Sequence, residues 1–256
     1  MTILCYHSVE PGWESPLAVE PDDFQRQAAW LQRKRRVLPL GTALGRLDAS
    51  GRLPPGEAAL TFDDGFSALH EYVLPVLTRT RLPATVFVVA QTLTPGGQPV
   101  DWVDTPGTKP LSTLTADQIL EMRDAGVDFQ SHSWAHQRLP QLSEDECVTD
   151  LRDSRELLSD LLGRPVTMLA YPRGLHKAHV RRAAARAGYT HAFALPEGRE
   201  QPQEFAIPRV GIYRGNSQAT LRVKAARPYL PLRTDDRLAR AAGRAKRVLR
   251  GLPGRT

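Results

Sequence analysis

Residues 58–65 read Ala-Ala-Leu-Thr-Phe-Asp-Asp-Gly, an apolar segment that ends in two adjacent carboxylates and a glycine. The apolar residues 58–62 predict a buried β-strand, because short continuous apolar runs are typical of strands covered on both faces. Asp63 and Asp64 then follow the strand directly. Neighbouring carboxylates repel one another, and a divalent metal bound to one of them would relieve that repulsion. A simple turn or helix cap is the alternative interpretation of the same residues.

Strands and helices are predicted to alternate on both sides of this segment. The sequence predicts further strands at residues 3–7, 85–90, 127–131, 166–170 and 190–194, and helices at residues 22–36, 67–79, 115–125, 143–162 and 176–187. Such alternation is typical of parallel strands joined by helical crossovers. Residues 91–112 contain several Gly and Pro residues and form an irregular excursion that is too long for a simple connector.

Chemically capable side chains recur directly after the predicted strands. They are His7, the Asp63–Asp64 pair, His132 and Arg173. In a parallel α/β barrel the carboxyl ends of all strands lie on one face, and active sites form there. The sequence therefore predicts that these residues share one site.

His132 and His136 are four residues apart in the segment His-Ser-Trp-Ala-His. On a helical turn this spacing places both imidazoles on one face, where they are able to share a metal ion. Two solvated or internally satisfied histidines are the alternative. Two His and one of the two aspartates make three protein ligands and leave a coordination position for water, as in catalytic zinc sites. We therefore expect one divalent ion, zinc by preference, with the remaining aspartate as general base.

Three segments together resemble the ordered motifs of a known family. Residues 61–65, 132–136 and 169–174 are similar to the first three motifs of the polysaccharide deacetylase family (NodB homology, carbohydrate esterase 4), and the resemblance runs from about residue 3 to residue 213. It implies an α/β fold, a distorted (β/α) barrel with fewer than eight repeats. It also implies that Asp63 is the base, that Asp64, His132 and His136 bind the metal, and that the backbone N–H of Arg173 helps to hold the oxyanion.

The chain departs from the family pattern at two positions. Family members often have arginine, which orients the base, where this chain has Ala170, and tyrosine where it has Arg173. The second change preserves the oxyanion role, because every residue except proline supplies a backbone N–H. For the first change we predict Arg209 as the substitute, with an ordinary surface ion pair as the alternative.

The resemblance implies a histidine general acid in a C-terminal Leu-x-x-His motif. This chain has no such motif, because no histidine follows His191. Residues 4–9, Leu-Cys-Tyr-His-Ser-Val, instead resemble the N-terminal segment of a circularly permuted subgroup that deacetylates poly-N-acetylglucosamine. That resemblance implies that His7 is the acid. A buried core histidine is the alternative for His7. For the remaining histidines, His70, His176, His179 and His191, surface or structural roles are expected.

Composition limits the other function classes. The 256-residue chain has a net charge of +6, but residues 222–256 hold eleven Lys or Arg and two Asp, so the remainder is mildly acidic and nucleic-acid binding is not expected. We predict a catalytic domain at residues 1–221 and a basic tail at 222–256 with an amphipathic helix at 235–250. That helix either packs on the barrel or contacts an anionic membrane peripherally.

The start of the chain lacks a basic n-region followed by a long apolar stretch, which predicts a cytoplasmic protein without a secretory signal. Cys5 and Cys147 are expected to be free thiols. The predicted function is metal-dependent hydrolysis of N-acetyl groups on a sugar or glycoconjugate, releasing acetate and an amino sugar. Two alternatives stay open: hydrolysis of a non-sugar amide or an O-acetyl ester, and a catalytically silent carbohydrate-binding barrel. A cytoplasmic location favours a nucleotide-linked or lipid-linked precursor, or a small glycoside, as the substrate.

Overall fold

The strands of the protein pair in nearly sequential order, and every pairing between them is parallel. The computed structural model describes residues 2–50, 56–105, 110–195, 205–226 and 229. The strands are β1 (Thr2–Tyr6), β2 (Ser8–Val9), β3 (Ala18–Val19), β4 (Arg36–Val37), β5 (Glu57–Phe62), β6 (Thr85–Val88), β7 (Asp128–Ser131), β8 (Met168–Ala170), β9 (His191–Ala194), β10 (Ile207–Pro208) and β11 (Val210–Gly211). The main sheet has the order β10-β9-β8-β7-β6-β5-β1-β11, with β4 added beside β5, while β2 and β3 form a separate pair.

One short segment joins the two edges of this sheet. Ile207 in β10 is aligned with Phe193 in β9, and Val210 in β11 is aligned with Leu4 in β1. Strands β10 and β11 are separated by Arg209 alone, so residues 207–211 contact both edges and the sheet curls into a nearly closed parallel barrel. The predicted distorted barrel with fewer than eight repeats is confirmed.

Seven α-helices lie in the described part of the chain. They are α1 (Pro21–Lys34), α2 (Leu40–Ser50), α3 (Leu74–Thr80), α4 (Ala116–Asp124), α5 (Glu144–Leu162), α6 (Ala178–Arg186) and α7 (Gln218–Lys224). Local sequence sets several of their ends: Thr115 and Ser143 begin α4 and α5 with capping boxes, and Gly163 ends α5 in the left-handed conformation.

The predicted helix at residues 67–79 takes a different form. A π-helical turn, Leu69–Val73, leads into α3, and Pro75 lies in the first turn of α3. Proline is tolerated there because the first turn of a helix has no use for its missing N–H. Strand β4 and helix α2 were not predicted, and they fill the interval between α1 and β5.

Two apolar layers position the site. Tyr6, Phe24 and Phe62 contact one another under α1, with ring centroids 5.5–5.8 Å apart. Inside the barrel, Phe87 and Phe193 pack with ring centroids 5.5 Å apart in a cluster that also contains Ala170. This inner layer closes the barrel beneath the carboxyl ends of its strands.

Several predictions concern the remainder of the chain. Cys5 and Cys147 are buried free thiols, as predicted. No helix among the described residues has the length and apolar character required to cross a membrane. Helix α7 extends across the predicted boundary between residues 221 and 222. The predicted tail helix at residues 235–250 lies outside the described residues.

Candidate metal and catalytic site

A cavity of about 310 Å³ at the carboxyl ends of the strands collects every predicted site residue. Its lining includes His7, Asp63, Asp64, His132, His136, Arg173 and Arg209. These residues follow β1, β5, β7, β8 and β10 along the chain. The parallel barrel therefore brings them together because all of its strands end on the same face.

Asp64, His132 and His136 form a compact group of potential metal ligands. Their ligand atoms lie within 4.8 Å of one another and all three residues are buried. The Nε2 atoms of His132 and His136 lie 3.5 and 3.2 Å from Oδ1 of Asp64. That oxygen nevertheless has no partner with hydrogen-bond geometry among the described residues. A buried carboxylate oxygen facing two imidazole nitrogens without a hydrogen bond fits a divalent cation between them.

The far side of the His132 ring supports this arrangement. Nδ1 of His132 lies 2.8 Å from the carbonyl oxygen of Ala170. A carbonyl oxygen only accepts hydrogen bonds, so Nδ1 carries a proton, and Nε2 of the neutral ring directs its lone pair toward Asp64. Histidine ligands of metals are commonly oriented in this way.

The segment that carries the two histidines is a loop, so the predicted helical turn is wrong. Ser133 and His136 adopt positive φ angles of 68° and 54°, which no α-helix contains. The loop is held by side chains: the His136 N–H donates to Oγ of Ser133 (3.1 Å), and the Trp134 N–H donates to Oδ1 of Asp150 on α5 (3.0 Å). A spacing of four residues also suits a tight loop, and here the loop places both Nε2 atoms beside Asp64.

Asp63 has partners entirely different from those of Asp64. Nη1 and Nη2 of Arg209 lie 2.7 and 2.6 Å from its two carboxylate oxygens. The Arg209 side chain is fully buried, so the alternative of a surface ion pair is wrong. The guanidinium also lies over the rings of Phe87 and Phe193, at 5.4 and 5.9 Å. Arg209 thus reaches the predicted base from the junction of β10 and β11.

The electrostatics around Asp63 keep it charged. Burial by itself raises the pKa of the carboxyl group, but Arg209 and His132 lower it, and the net pKa lies below the ordinary value. Sequence reasoning missed a further contact: Sγ of Cys5 lies 3.4 Å from Oδ2 of Asp63. Burial raises the pKa of the Cys5 thiol, so the thiol is neutral and has a proton to donate. The sequence feature that could have revealed this contact is the position of Cys5 among apolar residues in β1.

His7 is buried and also lines the cavity. Burial lowers the pKa of the imidazole, and the nearby carboxylates of Asp64 and Asp63 offset part of that effect. Tyr213 lies against it, with ring centroids 6.3 Å apart and ring planes 24° apart. Tyr213 lines the same cavity, and sequence reasoning did not identify it.

Arg173 lies in a turn of two left-handed residues, with φ of 58° at Arg173 and 67° at Gly174. A Cβ atom at position 174 would lie 2.5 Å from the backbone nitrogen of Leu195, so only glycine fits. The Arg173 side chain donates to the carbonyl oxygen of Trp102 (2.6 Å) and pairs with Asp104 (3.1 Å). Arg173 thereby ties the irregular excursion to the rim of the cavity.

The excursion contributes a wall of the site. Trp102 stacks on the ring of His136, with centroids 5.0 Å apart and planes 27° apart, and residues 102–105 line the cavity. Trp134 packs partly buried against the main apolar core.

The other histidines have ordinary partners. His70 pairs with Glu121, His191 pairs with Asp48, His179 contacts the carbonyl oxygen of Leu142, and His176 contacts Arg181. None of the four lines the cavity described above. Their surface or structural roles agree with the expectation from sequence.

Comparison with known proteins places this arrangement in context. Among solved structures, the chain is similar to Streptococcus pyogenes deacetylase PplD in complex with acetate, with a TM-score of 0.73 and 25% identity over 88% of this chain and 97% of that one. It also matches IcaB from Ammonifex degensii, with a TM-score of 0.71 and 24% identity over 88% of this chain and 96% of that one. The similarity to IcaB shows a shared fold.

Sequence relatives agree with the structural neighbours. The chain is 24% identical over 205 residues to the poly-beta-1,6-N-acetyl-D-glucosamine N-deacetylase of Staphylococcus epidermidis. This alignment covers 75% of this chain and 67% of that protein. It is 25% identical over 222 residues to YxkH of Bacillus subtilis, which covers 85% and 73%. The profile of the polysaccharide deacetylase family matches residues 50–192, more than half of the chain. The protein therefore belongs to the polysaccharide deacetylase family.

Proposed function

We propose that this protein is a metal-dependent N-deacetylase that hydrolyses the acetamide of an N-acetylated sugar in a polysaccharide or glycoconjugate. The observation that carries this proposal is that the adjacent carboxylates of Asp63 and Asp64 have different partners. One carboxylate is clamped by Arg209, and its neighbour faces two imidazole nitrogens in the same cavity. This arrangement suits Asp63 as the general base and Asp64 as a metal ligand.

Asp64, His132 and His136 would hold the metal. Two nitrogen donors and one oxygen donor that leave an open position suit zinc. When bound, a divalent ion supplies Lewis-acid chemistry that polarises a carbonyl group and activates water. The chain's own contribution is to orient the ligands, through the Ala170 carbonyl behind His132 and the Asp150 carboxylate behind the loop.

Asp63 would take a proton from the attacking water. Its lowered pKa keeps it ionised and able to accept at neutral pH, although a low pKa also makes it a weaker base. The bidentate contact with Arg209 fixes the orientation of the carboxylate, and this favourable orientation compensates for the weaker basicity.

The remaining steps are assigned to residues on the cavity wall. The backbone N–H of Arg173 would donate to the oxyanion that develops on the acetamide oxygen. His7 would deliver a proton to the nitrogen as the C–N bond breaks. The carbonyl carbon keeps the oxygen from water and leaves as acetate, and the sugar keeps a free amine.

For the substrate we propose a glycan that contains N-acetylglucosamine. The name of the staphylococcal relative, a poly-beta-1,6-N-acetyl-D-glucosamine N-deacetylase, supports this class. If the protein acts in the cytoplasm, a nucleotide-linked or lipid-linked precursor fits better than an exported polymer. The basic tail at residues 222–256 would then bring the enzyme to anionic membrane at the inner face.

The test is acetate release from a panel of substrates. The panel contains β-1,6-linked and β-1,4-linked N-acetylglucosamine oligomers, a nucleotide-linked N-acetyl sugar, an O-acetylated sugar and a non-sugar N-acetyl amide. The expected result is acetate from an N-acetyl sugar with zinc present, none after chelation, and release about 10²–10⁴-fold slower with Asp63→Asn. Release from only the O-acetyl or the non-sugar compound would establish the corresponding alternative. Binding of oligomers without any release would identify a silent barrel.

A further inference from the structure

Within the described part of the chain, no hydrogen bond orients the ring of His7 through its Nδ1 atom. Its Nδ1 atom is buried and has no hydrogen-bond partner among the residues that the structure describes. A catalytic histidine is usually held by a carbonyl or carboxylate at the nitrogen that does not react. Some other contact must therefore define the direction of this imidazole.

Tyr213 supplies a contact of the right kind. Its ring lies nearly parallel to that of His7, with centroids 6.3 Å apart, which is within the range of offset stacked pairs. Both rings line the cavity that holds Asp63 and Asp64. Stacking fixes the plane of a ring, and this is the property that the missing hydrogen bond would otherwise set.

The position of the Tyr213 ring is itself determined by close packing. A Cβ atom on Gly211 would lie 2.3 Å from Oη of Tyr213 and 2.5 Å from its Cζ. The φ angle of Gly211 is not in the left-handed region, so this glycine is needed for space and not for backbone conformation. The tyrosine ring therefore lies directly over the backbone of β11.

A second group of contacts holds the ring from helix α7. Nζ of Lys224 lies 5.1 Å from the centroid of Tyr213 and donates to the carbonyl oxygen of Gly211 (2.8 Å) and to Oδ1 of Asn216 (2.6 Å). Oδ1 of Asn216 also accepts from the backbone N–H of Tyr213 (3.2 Å). These contacts join the turn after β11 to α7 and restrict movement of the ring.

We propose that Tyr213 is a positioning residue for His7, and that it acts through ring stacking over Gly211. The inference rests on the proposed role of His7 as the acid. Tyr213 does not exchange a proton in this scheme. It keeps the imidazole directed toward the amide nitrogen of the bound substrate.

The experiment compares three variants with a matched control. Tyr213→Leu removes the ring, and Gly211→Ala displaces it without altering His7 or Tyr213. We expect kcat to fall about 10- to 100-fold in each, the usual effect of misplacing a reacting group by about 1 Å, with little change in KM. Tyr213→Phe keeps the stacking ring and should retain most of the activity. Tyr72→Leu, which removes a partly buried tyrosine outside this cavity, is the control for general destabilisation.

A double-mutant cycle distinguishes failure of this inference from failure of the proposed function. If Tyr213 acts through His7, Tyr213→Leu should lower kcat less than about twofold in a His7→Ala background. The reason is that substitutions of two residues that act as one catalytic unit do not have additive effects on kcat. An equal loss in both backgrounds, or a Tyr213→Phe variant as impaired as Tyr213→Leu, would overturn the inference. Normal turnover of His7→Ala alone would instead overturn the assignment of the acid. Stoichiometric metal in all variants confirms that the losses do not arise from the metal site.

Discussion

The two terminal nitrogens of Arg209 lie 2.7 and 2.6 Å from the two carboxylate oxygens of Asp63, although the residues are 146 positions apart in sequence. Arg209 stands between β10 and β11, the strands that contact the two edges of the sheet. Closure of the barrel and orientation of the predicted base therefore depend on the same residue. A parallel two-point contact of this type fixes both the distance and the plane of a carboxylate.

Arg209→Lys should lower kcat about 100-fold or more while the charge is retained, because lysine makes only a point contact with a carboxylate. Arg209→Met should in addition destabilise the fold by about 3–5 kcal/mol, since it leaves the buried Asp63 carboxylate without its ion-pair partner. Steady-state kinetics and urea unfolding measure the two effects. Wild-type kcat in Arg209→Lys would show that the bidentate contact does not serve catalysis.

Substitutions in the metal group should separate binding from chemistry. Asp64→Ala and His132→Ala should lose metal and activity together, because each removes one of three ligands. Asp63→Asn should keep the metal and lose about 10²–10⁴ in rate, the usual contribution of a general base. Elemental analysis beside acetate release gives both quantities. Stoichiometric metal in Asp64→Ala would refute the assignment of that residue as a ligand.

His7→Ala should lose a similar factor of about 10²–10⁴ in rate and should keep its metal. A general acid must be protonated, so activity should fall as pH rises through the pKa of His7, which burial lowers. In the variant this alkaline limb of the pH–rate profile should disappear. Turnover close to wild type would mean that another group supplies the proton.

Asp150 should couple the histidine loop to pH through protein stability. Burial raises the pKa of its carboxyl group from 3.8 to about 6, and Oδ1 accepts the N–H of Trp134. The folded state therefore binds more protons than the unfolded chain between these values. The stability contributed by this residue is complete below the unfolded pKa and is lost as pH rises through the folded one.

Asp150→Asn keeps an acceptor for the Trp134 N–H and removes the charge. Its free energy of unfolding, measured in chelator, should depend less on pH between 4 and 6 than that of the wild type. Asp150→Ala removes the acceptor and should weaken metal affinity about 10- to 100-fold, as loss of a supporting contact does elsewhere. Unchanged affinity in Asp150→Ala would show that the loop keeps its shape without this contact.

The basic tail should bind anionic vesicles at low salt. Each Lys or Arg near such a surface contributes about 1 kcal/mol, and residues 222–256 hold eleven of them. Cosedimentation of the full chain should exceed that of a chain ending at Tyr229, and salt should abolish the difference. Equal pelleting of the two chains would leave the predicted tail helix with a packing role only.

Local pattern determined strands β1 and β5–β9, helices α1 and α4–α6, and the residues that carry chemistry. Apolar runs such as residues 58–62 form strands because they bury both faces, and capping residues such as Ser143 begin helices where their side chains satisfy free N–H groups. The Asp63–Asp64 pair and the two histidines were recognisable because their residue types and spacing suit a metal site. For these features the nearest neighbours in sequence are sufficient.

Tertiary structure decided how those residues divide their tasks. The two-residue strands β10 and β11 are too short to show any periodicity, and they form only because both edges of the sheet are within reach. Their pairing brings Arg209 to Asp63 and places Tyr213 beside His7. The loop at residues 132–136 is likewise held by Asp150, which lies on α5 and accepts the N–H of Trp134. Sequence patterns report contacts between near neighbours, whereas these contacts exist only after the barrel has closed.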